Sequence, residues 1–223
     1  MKYYEAYDER YKVIHEKGYS WSSDKPTPIV LNILNKLNIN NKDKILEIGC
    51  GEGRDSIALL KQGYNLLAID ISKEAIKYCQ NLYKEYKSNF KVLDCLKDTL
   101  NEQYDSIYAI AVIHMLVIDE DRNKFYNFIY NHLSNKGMAI ICSMGDGNIE
   151  YCSNINEAYD IQTREHISGK VNVAATSCRM VSFKTMEKEI KSNHLDIVEK
   201  GITESLPDFN SLMYVVVKKH DGK

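Results

Sequence analysis

Short apolar runs alternate along this chain with stretches in which apolar residues recur every three or four positions. The runs are typical of buried strands, and the second pattern is typical of amphipathic helices. Strands are predicted at residues 45–48, 65–70, 90–94, 104–112 and 137–143, with helices at 54–62, 73–84 and 119–133 between them. This alternation predicts an α/β fold with a mostly parallel sheet, whose ligand crevice lies at the carboxyl ends of the strands.

Three glycines follow the first predicted strand at alternate positions. Gly49, Gly51 and Gly53 let the backbone turn sharply and approach a ligand closely. A helix begins directly afterwards, so its free N–H groups point into the same crevice. The second strand ends at Asp70, whose carboxylate is placed to accept hydrogen bonds from a ribose diol. Together these features predict a site for an adenosine-containing cofactor.

The glycine spacing distinguishes between classes of cofactor. A dinucleotide fingerprint has the spacing G-x-G-x-x-G, whereas this chain has G-x-G-x-G preceded by Glu47, and Arg54 stands in place of the third dinucleotide glycine. A P-loop string is absent. The stretch E-I-G-C-G-E-G, followed by Asp70 in A-I-D-I-S, resembles the first motif and the acidic second motif of class I S-adenosylmethionine-dependent methyltransferases.

This resemblance extends over roughly residues 40–219 and implies a fold. The implied architecture is a seven-stranded, mostly parallel Rossmann-like sheet with helices on both faces. Its end is an antiparallel hairpin formed by residues 195–200 and 212–218. The G-R-D-S continuation of the glycine turn is similar to small bacterial methyltransferases of the tellurite-resistance and thiopurine group, although that similarity is local and names no substrate.

The resemblance also implies S-adenosylmethionine as cofactor and S-adenosylhomocysteine as product. The methionine end would lie among Glu47, Gly49 and Gly51, and Asp70 would hold both ribose hydroxyls. Asp94 would meet the adenine amino group, with a turn aspartate bonded within its own loop as the alternative. Ala111 would line the floor under the sulfonium. The residues assigned to the cofactor are Glu47, Gly49, Cys50, Gly51, Gly53, Asp70, Ile71, Asp94, Cys95, Leu96, Ala111 and Trp21.

One histidine lies just past the fourth predicted strand, where cofactor and acceptor would meet. His114, in A-V-I-H-M-L, is the candidate general base, because an unperturbed imidazole with a pKa of about 6.5 accepts protons at neutral pH. The alternative is a histidine that only bonds its loop or contacts the cofactor. Methyl transfer from a sulfonium is favourable and can proceed by alignment alone, so a dedicated base is not required.

Two further segments are candidates for covering the site. Residues 1–38 are predicted to be helical, with an aromatic stripe at Tyr4, Tyr7 and Tyr11, and a second helix that has Thr27 as N-cap and Pro28 as its first residue. The stripe predicts either a lid over the cofactor or plain packing, and Trp21 is its most informative residue. Residues 144–180 are polar and lack a sustained period, which predicts an insertion near the substrate pocket or an irregular surface segment.

Composition limits the partners of the chain. The 223 residues suffice for one domain, and the net charge of −2 gives no basic field for nucleic acid. No apolar stretch is long enough to cross a bilayer and no signal core follows Met1, so a cytoplasmic protein is expected. The six cysteines match neither a zinc site nor a disulfide scaffold, and no metal is predicted.

The acceptor class follows from what the motifs lack. The fourth strand does not end in an N-P-P-[YFW] string and no RNA-binding module is visible, which favours a small-molecule acceptor methylated at O, N or S. Two other functions remain open: a cofactor-binding regulatory protein with this fold, and an NAD-dependent oxidoreductase. The oligomeric state is expected to be monomer or homodimer.

Overall fold

The computed structural model describes residues 2–21, 25–203 and 212–220. Helices are α1 (Ala6–Glu16), α2 (Pro28–Lys36), α3 (Arg54–Lys61), α4 (Lys73–Leu82), α5 (Asp119–His132) and α6 (Phe183–Ser192). The strands are β1 (Lys44–Ile48), β2 (Asn65–Asp70), β3 (Phe90–Val92), β4 (Tyr104–Ile110), β5 (Leu133–Met144), β6 (Tyr151–Cys152), β7 (Ile161–His166), β8 (Gly169–Ala174), β9 (Arg179–Met180), β10 (Leu195–Ile202) and β11 (Leu212–Lys219).

A seven-stranded sheet of order β10-β11-β5-β4-β1-β2-β3 forms the centre of the fold. The strands β1 to β5 pair in parallel, and β11 lies antiparallel between β5 and β10. The predicted mostly parallel sheet with a C-terminal antiparallel hairpin is therefore confirmed. Strand order reverses between β1 and β4, and a crevice opens at the carboxyl ends of strands at such a point.

The apolar run of β1 is explained by burial on both faces of the sheet. Leu46 packs in a core cluster with residues of α5 and α6, such as Phe125 and Ile190, whereas Ile45 packs in a second cluster with Leu59 of α3. A strand covered on both sides has no solvent face, so its sequence does not alternate.

Two helices begin at a serine that caps them, and a third begins after a threonine that does not. The Ser72 hydroxyl accepts a hydrogen bond from Ala75 N at 3.0 Å and caps α4. The Ser182 hydroxyl caps α6 in the same way through Thr185 N. Thr27 precedes Pro28 as predicted, but its side chain makes no capping bond to α2. It donates instead to Asp55 of α3, so the expected cap is a contact between helices.

Strand ends differ from the prediction where side chains near the crevice continue the apolar pattern. β3 ends at Val92 and β4 at Ile110, which leaves Asp94 and Ala111 in the loops that follow. β5 begins at Leu133, before the predicted start at residue 137, because Leu133 already pairs with Tyr104. Apolarity alone therefore overestimates strand length at the ligand edge.

The segment 144–180 contains regular structure that its sequence did not reveal. β7 and β8 form an antiparallel hairpin, and β6 pairs with β9. In β8 the buried Val171 and Val173 alternate with exposed Lys170 and Asn172. This alternation is too short to stand out from a polar background, which is why the sequence did not reveal the hairpin. The paired strands contradict the alternative of an irregular segment. Within the described residues, no helix combines the length and apolarity that a bilayer crossing needs.

Candidate cofactor site

The glycine turn after β1 has a backbone that only glycine adopts easily. Gly49 and Gly51 have φ angles of +71° and +53°. A Cβ on Gly49 would lie 2.4 Å from Val112 Cγ2, and a Cβ on Gly51 would lie 2.6 Å from the Tyr11 hydroxyl oxygen. The N–H groups of Gly49 and Cys50 both donate to Ile69 O, which ties the turn to β2. The turn is therefore closely packed on both sides.

Gly53 has a different reason to be glycine. Its φ is +78°, and a Cβ there would lie 3.0 Å from both Cys79 Sγ and Phe90 Cε1. Gly53 is not among the described residues that line the crevice. The structure therefore gives Gly53 a packing role, because it lets α3 start close to α4 and β3, and its assignment to the cofactor stays a prediction.

Asp70 lies at the end of β2 and is fixed by two backbone donors. Its Oδ2 accepts a hydrogen bond from Gly51 N, and its Oδ1 accepts one from Ser72 N, both at 2.8 Å. Burial raises the pKa of Asp70, while these N–H groups favour the ionised form. The carboxylate thus joins the glycine turn to the next loop and borders the cavity between them.

A cavity occupies the crevice at the carboxyl ends of β1, β2 and β4. Eleven of the twelve residues predicted for the cofactor line it: Trp21, Glu47, Gly49, Cys50, Gly51, Asp70, Ile71, Asp94, Cys95, Leu96 and Ala111. They come from positions spread between 21 and 111, so the fold brings together what the motifs had assigned one at a time. Gly53 is the exception described above.

The cavity also contains residues that the sequence did not assign to it. Tyr4, Tyr7 and Tyr11 form a wall on the N-terminal side, and Glu52, Arg54 and Asp55 lie at the start of α3. The aromatic stripe was visible at helical spacing, but spacing does not say what a helix face covers. Glu52, Arg54 and Asp55 belong to the G-E-G-R-D string. Of these, only Arg54 entered the sequence prediction, as evidence against a dinucleotide.

Glu47 is a buried acid held by neutral donors. It is 4% exposed, and its Oε2 accepts hydrogen bonds from the Tyr108 hydroxyl at 2.8 Å and from the Ser56 hydroxyl. Burial, with the nearby charge of Asp55, raises the pKa of Glu47 to about 8. A cation that entered the cavity beside Glu47 would favour its ionised form.

Thr27, Arg54 and Asp55 form a network at the neighbouring helix starts. Asp55 accepts hydrogen bonds from Thr27 N at 2.5 Å and from the Thr27 hydroxyl at 2.8 Å. Arg54 Nη2 lies 3.0 Å from Thr27 Oγ1 and 3.6 Å from Asp55 Oδ2. The network holds the positively charged Arg54 guanidinium at the cavity wall.

Asp94 makes the local hydrogen bond of a turn aspartate and also lies at the cavity wall. Its Oδ1 accepts a hydrogen bond from Leu96 N at 3.0 Å, which is the bond of a turn aspartate. Its Oδ2 lies 3.1 Å from Lys97 Nζ and accepts a 3.4 Å bond from the Tyr4 hydroxyl, at the cavity wall. The Tyr4 contact links this loop to the N-terminal segment.

His114 lies outside the cavity lining, although its neighbours Val112 and Met115 belong to it. The turn Ile113–Met115 is held by Arg122, whose Nη1 donates to Ile113 O at 2.9 Å. His114 is 4% exposed, and burial together with the charge of Arg122 lowers its pKa to about 4. This placement favours a structural role over the predicted general base, which would need to reach an acceptor in the cavity.

Residues 46–139 match the family model described as methyltransferase domain. This stretch of the chain is therefore similar to methyltransferase domains, as the glycine motif predicted.

The curated relatives have names that refer to different substrates. The chain is 32% identical over 125 residues to the ribosomal RNA small subunit methyltransferase A of Mycoplasmopsis synoviae, a match that covers 56% of this chain and 46% of that protein. It is 33% identical over 119 residues to the ubiquinone biosynthesis O-methyltransferase of Rickettsia felis, covering 52% and 47% of the two chains. The chain therefore spans about half the length of these curated relatives.

Among solved structures, the fold is similar to the 1,6-didemethyltoxoflavin-N1-methyltransferase of Burkholderia thailandensis, with bound 1,6-didemethyltoxoflavin and S-adenosylhomocysteine. The TM-score is 0.69 at 15% identity, with 94% of this chain and 85% of that chain covered. The likeness extends over almost the whole chain and concerns the fold.

Proposed function

We propose that this domain is an enzyme that moves a methyl group from S-adenosylmethionine to an O, N or S atom of a small molecule. The observation that carries the proposal is the Asp70 carboxylate, held between Gly51 N and Ser72 N at the rim of a cavity. A carboxylate at this position suits the two ribose hydroxyls of an adenosine group. The glycine turn beside it lets the backbone approach the rest of the cofactor.

The other lining residues fit the remaining parts of such a cofactor. Ile71 and Leu96 offer apolar surface to the adenine near Asp94, as the resemblance implies. Glu47 suits the ammonium of the methionine end and Arg54 suits its carboxylate, which are complementary charges. The bound cofactor supplies an electrophilic methyl group on a sulfonium.

The chain's own contribution to catalysis would be alignment and exclusion of water. Tyr7, Tyr11 and Trp21 line the cavity, and aromatic faces attract a sulfonium by about 0.5–2 kcal/mol. The N-terminal segment is accordingly proposed as a lid over the cofactor. Transfer in line between acceptor and sulfur needs both partners held in one geometry, and a covered cavity provides this without a dedicated base.

Charge argues for a small acceptor over an RNA. Among the described residues, the cavity lining includes five acids and a single arginine: Glu47, Glu52, Asp55, Asp70, Asp94 and Arg54. Nucleic acids are recognised largely through positive charge that meets their phosphates. An acidic, covered cavity in a chain of net charge −2 therefore suits an uncharged or cationic small molecule better than a polyanion.

The first test is calorimetric titration of S-adenosylhomocysteine into the wild type, Asp70→Ala and a control variant, Asp160→Ala, whose residue is exposed and outside the cavity lining. We expect Asp70→Ala to weaken binding by about 100-fold or more, because two charge-assisted hydrogen bonds are lost. The control should bind as the wild type does, and NAD should not bind.

Labelled S-adenosylmethionine then identifies the acceptor class. Transfer of label to a small-molecule extract supports the proposal. Transfer only to ribosomal RNA would show that the acceptor is an RNA and that the proposed small-molecule acceptor is wrong. Binding without transfer to either pool would favour the regulatory function. Failure of the wild type to bind S-adenosylhomocysteine would refute the proposed cofactor, and tight binding of NAD would favour the oxidoreductase.

A further inference from the structure

The hairpin of β7 and β8 affects the cavity only through other residues. Among the described residues that line the cavity, none comes from 144–180. The hairpin packs instead on α1, where Val171 and Val173 bury Ile14 in a small cluster that also contacts Trp21. Trp21 is thus one direct contact between the hairpin and the aromatic wall, and a second connection would let the segment position more of that wall.

Arg10 makes this connection on the inner side of α1. It is 4% exposed, and its Nη2 donates to Ala174 O at 2.7 Å and to Ala175 O at 2.9 Å. The same nitrogen lies 3.2 Å from Thr176 Oγ1, and Nε donates to Ala174 O at 3.3 Å. These bonds join residues that are more than 160 positions apart in the chain.

The guanidinium also contacts two rings of the cavity wall. Its Cζ lies 4.5 Å from the centroid of the Tyr7 ring and 4.8 Å from the centroid of the Trp21 ring. Both rings line the cavity. Trp21 additionally stacks on His166 of the hairpin, with ring centroids 5.7 Å apart.

A guanidinium can make both sets of contacts because it is planar. Its N–H groups donate in the plane, while its faces remain available to aromatic rings. Burial lowers the pKa of Arg10, but an arginine side chain stays charged in proteins. A lysine ammonium has neither the plane nor the fork of donors, so it cannot reproduce this arrangement.

We propose that Arg10 is a positioning residue that couples the β7–β8 hairpin to the cavity by holding the rings of Tyr7 and Trp21 in its wall. The hairpin then influences the shape of the cavity, although no described residue of the hairpin lines it. The consequence for cofactor affinity rests on the proposed function, whereas the coupling to Trp21 does not.

Trp21 reports on this coupling directly, since it is the single tryptophan of the chain. We would record its emission maximum and its quenching by acrylamide in the ligand-free protein, for the wild type, Arg10→Gln and Arg10→Lys. Both substitutions should shift the emission to longer wavelength and increase quenching, because the Trp21 ring loses the planar guanidinium that holds it and becomes more exposed to solvent. Affinity for S-adenosylhomocysteine should fall about tenfold in each variant, which corresponds to about 1.4 kcal/mol.

Two controls separate positioning from a loss of stability. Lys12→Gln removes a positive charge from the exposed side of the same helix, and Ile190→Val loosens the buried core of α6. All variants are measured well below their unfolding temperatures, and neither control should change the Trp21 signal or the affinity.

The proposal is overturned if Arg10→Gln leaves the Trp21 signal at the level of Lys12→Gln, or if Ile190→Val changes it equally. A wild-type signal in Arg10→Lys would overturn the requirement for a planar guanidinium. If the wild type fails to bind S-adenosylhomocysteine, the proposed function falls while the fluorescence still decides the coupling.

Discussion

The two sides of the cavity are built by different kinds of contact. On the glycine-turn side, Gly51 N donates to Asp70 across 19 residues of chain, and the Ser56 hydroxyl donates to Glu47 across 9. On the side of the N-terminal segment, Tyr4 reaches Asp94 across 90 residues and Arg10 reaches Ala174 across 164. The glycine-turn side is a single strand–turn–helix–strand unit. The other side is assembled from residues that lie far apart in the sequence.

The difference in contact range explains why only the glycine-turn side has a recognisable sequence motif. Close contacts within a short unit restrict residue type at fixed spacing, as at Gly51, whose φ is +53° and whose N–H donates to Asp70. The N-terminal wall restricts only size and aromatic character, which many sequences satisfy. The following predictions test how independent the two sides are, in order of decreasing expected effect.

The largest effect is expected where the two sides touch, at Gly51. Gly51→Ala should weaken S-adenosylhomocysteine binding by about 100-fold, because its Cβ would lie 2.6 Å from the Tyr11 hydroxyl. Gly63→Ala is the matched control, since its φ is +83° but no atom lies within 4 Å of the added Cβ. That control should cost only the conformational penalty of about 1–2 kcal/mol in the free energy of unfolding.

Removing the Tyr11 hydroxyl should relieve part of this clash. The ring carbon Cζ would be 3.6 Å from the new Cβ, which is ordinary contact. The double variant Gly51→Ala/Tyr11→Phe should therefore bind S-adenosylhomocysteine more tightly than Gly51→Ala. Equal affinity of the two variants in calorimetry would mean that the two sides do not constrain each other there.

An intermediate effect is expected at Glu47, within the glycine-turn side. Burial raises its pKa from 4.5 to about 8, so the folded protein keeps a proton that the unfolded chain releases near pH 4.5. Its contribution to the free energy of unfolding is full below pH 4.5 and is lost as the pH rises to 8. In urea unfolding, the free energy of unfolding of the wild type minus that of Glu47→Gln should decline as the pH rises from 4.5 to 8. Parallel dependences of the two free energies on pH would contradict the prediction.

The smallest effect, of opposite sign, is expected at His114. Burial lowers its pKa from 6.5 to about 4, so its contribution to stability is present above pH 6.5 and is lost as the pH falls to 4. His114→Gln should remove this acid sensitivity in urea unfolding. It should change the affinity for S-adenosylhomocysteine by less than about twofold at pH 7.5, because the side chain lies outside the cavity lining. A loss of transfer with unchanged affinity and stability would restore the general base.

Much of the sheet followed from the apolar runs. Residues such as Ile45 and Leu46 are buried on opposite faces, and that pattern has few alternatives. The hairpin of β7 and β8 was missed because only Val171 and Val173 mark it, and their burial depends on α1. Thr27 had the sequence of a cap, yet Asp55 competed successfully for its hydroxyl.

The strand–turn–helix unit and the class of cofactor site follow from the residues alone, because steric and hydrogen-bonding rules within a few residues decide both. Three outcomes follow only from the packed fold: Tyr4, Tyr7 and Tyr11 form a cavity wall, Gly53 packs against α4 and β3, and His114 is buried beside the site. These outcomes depend on which faces of distant elements meet. Burial against a distant partner leaves no fixed spacing along the chain for a reader of the sequence to detect.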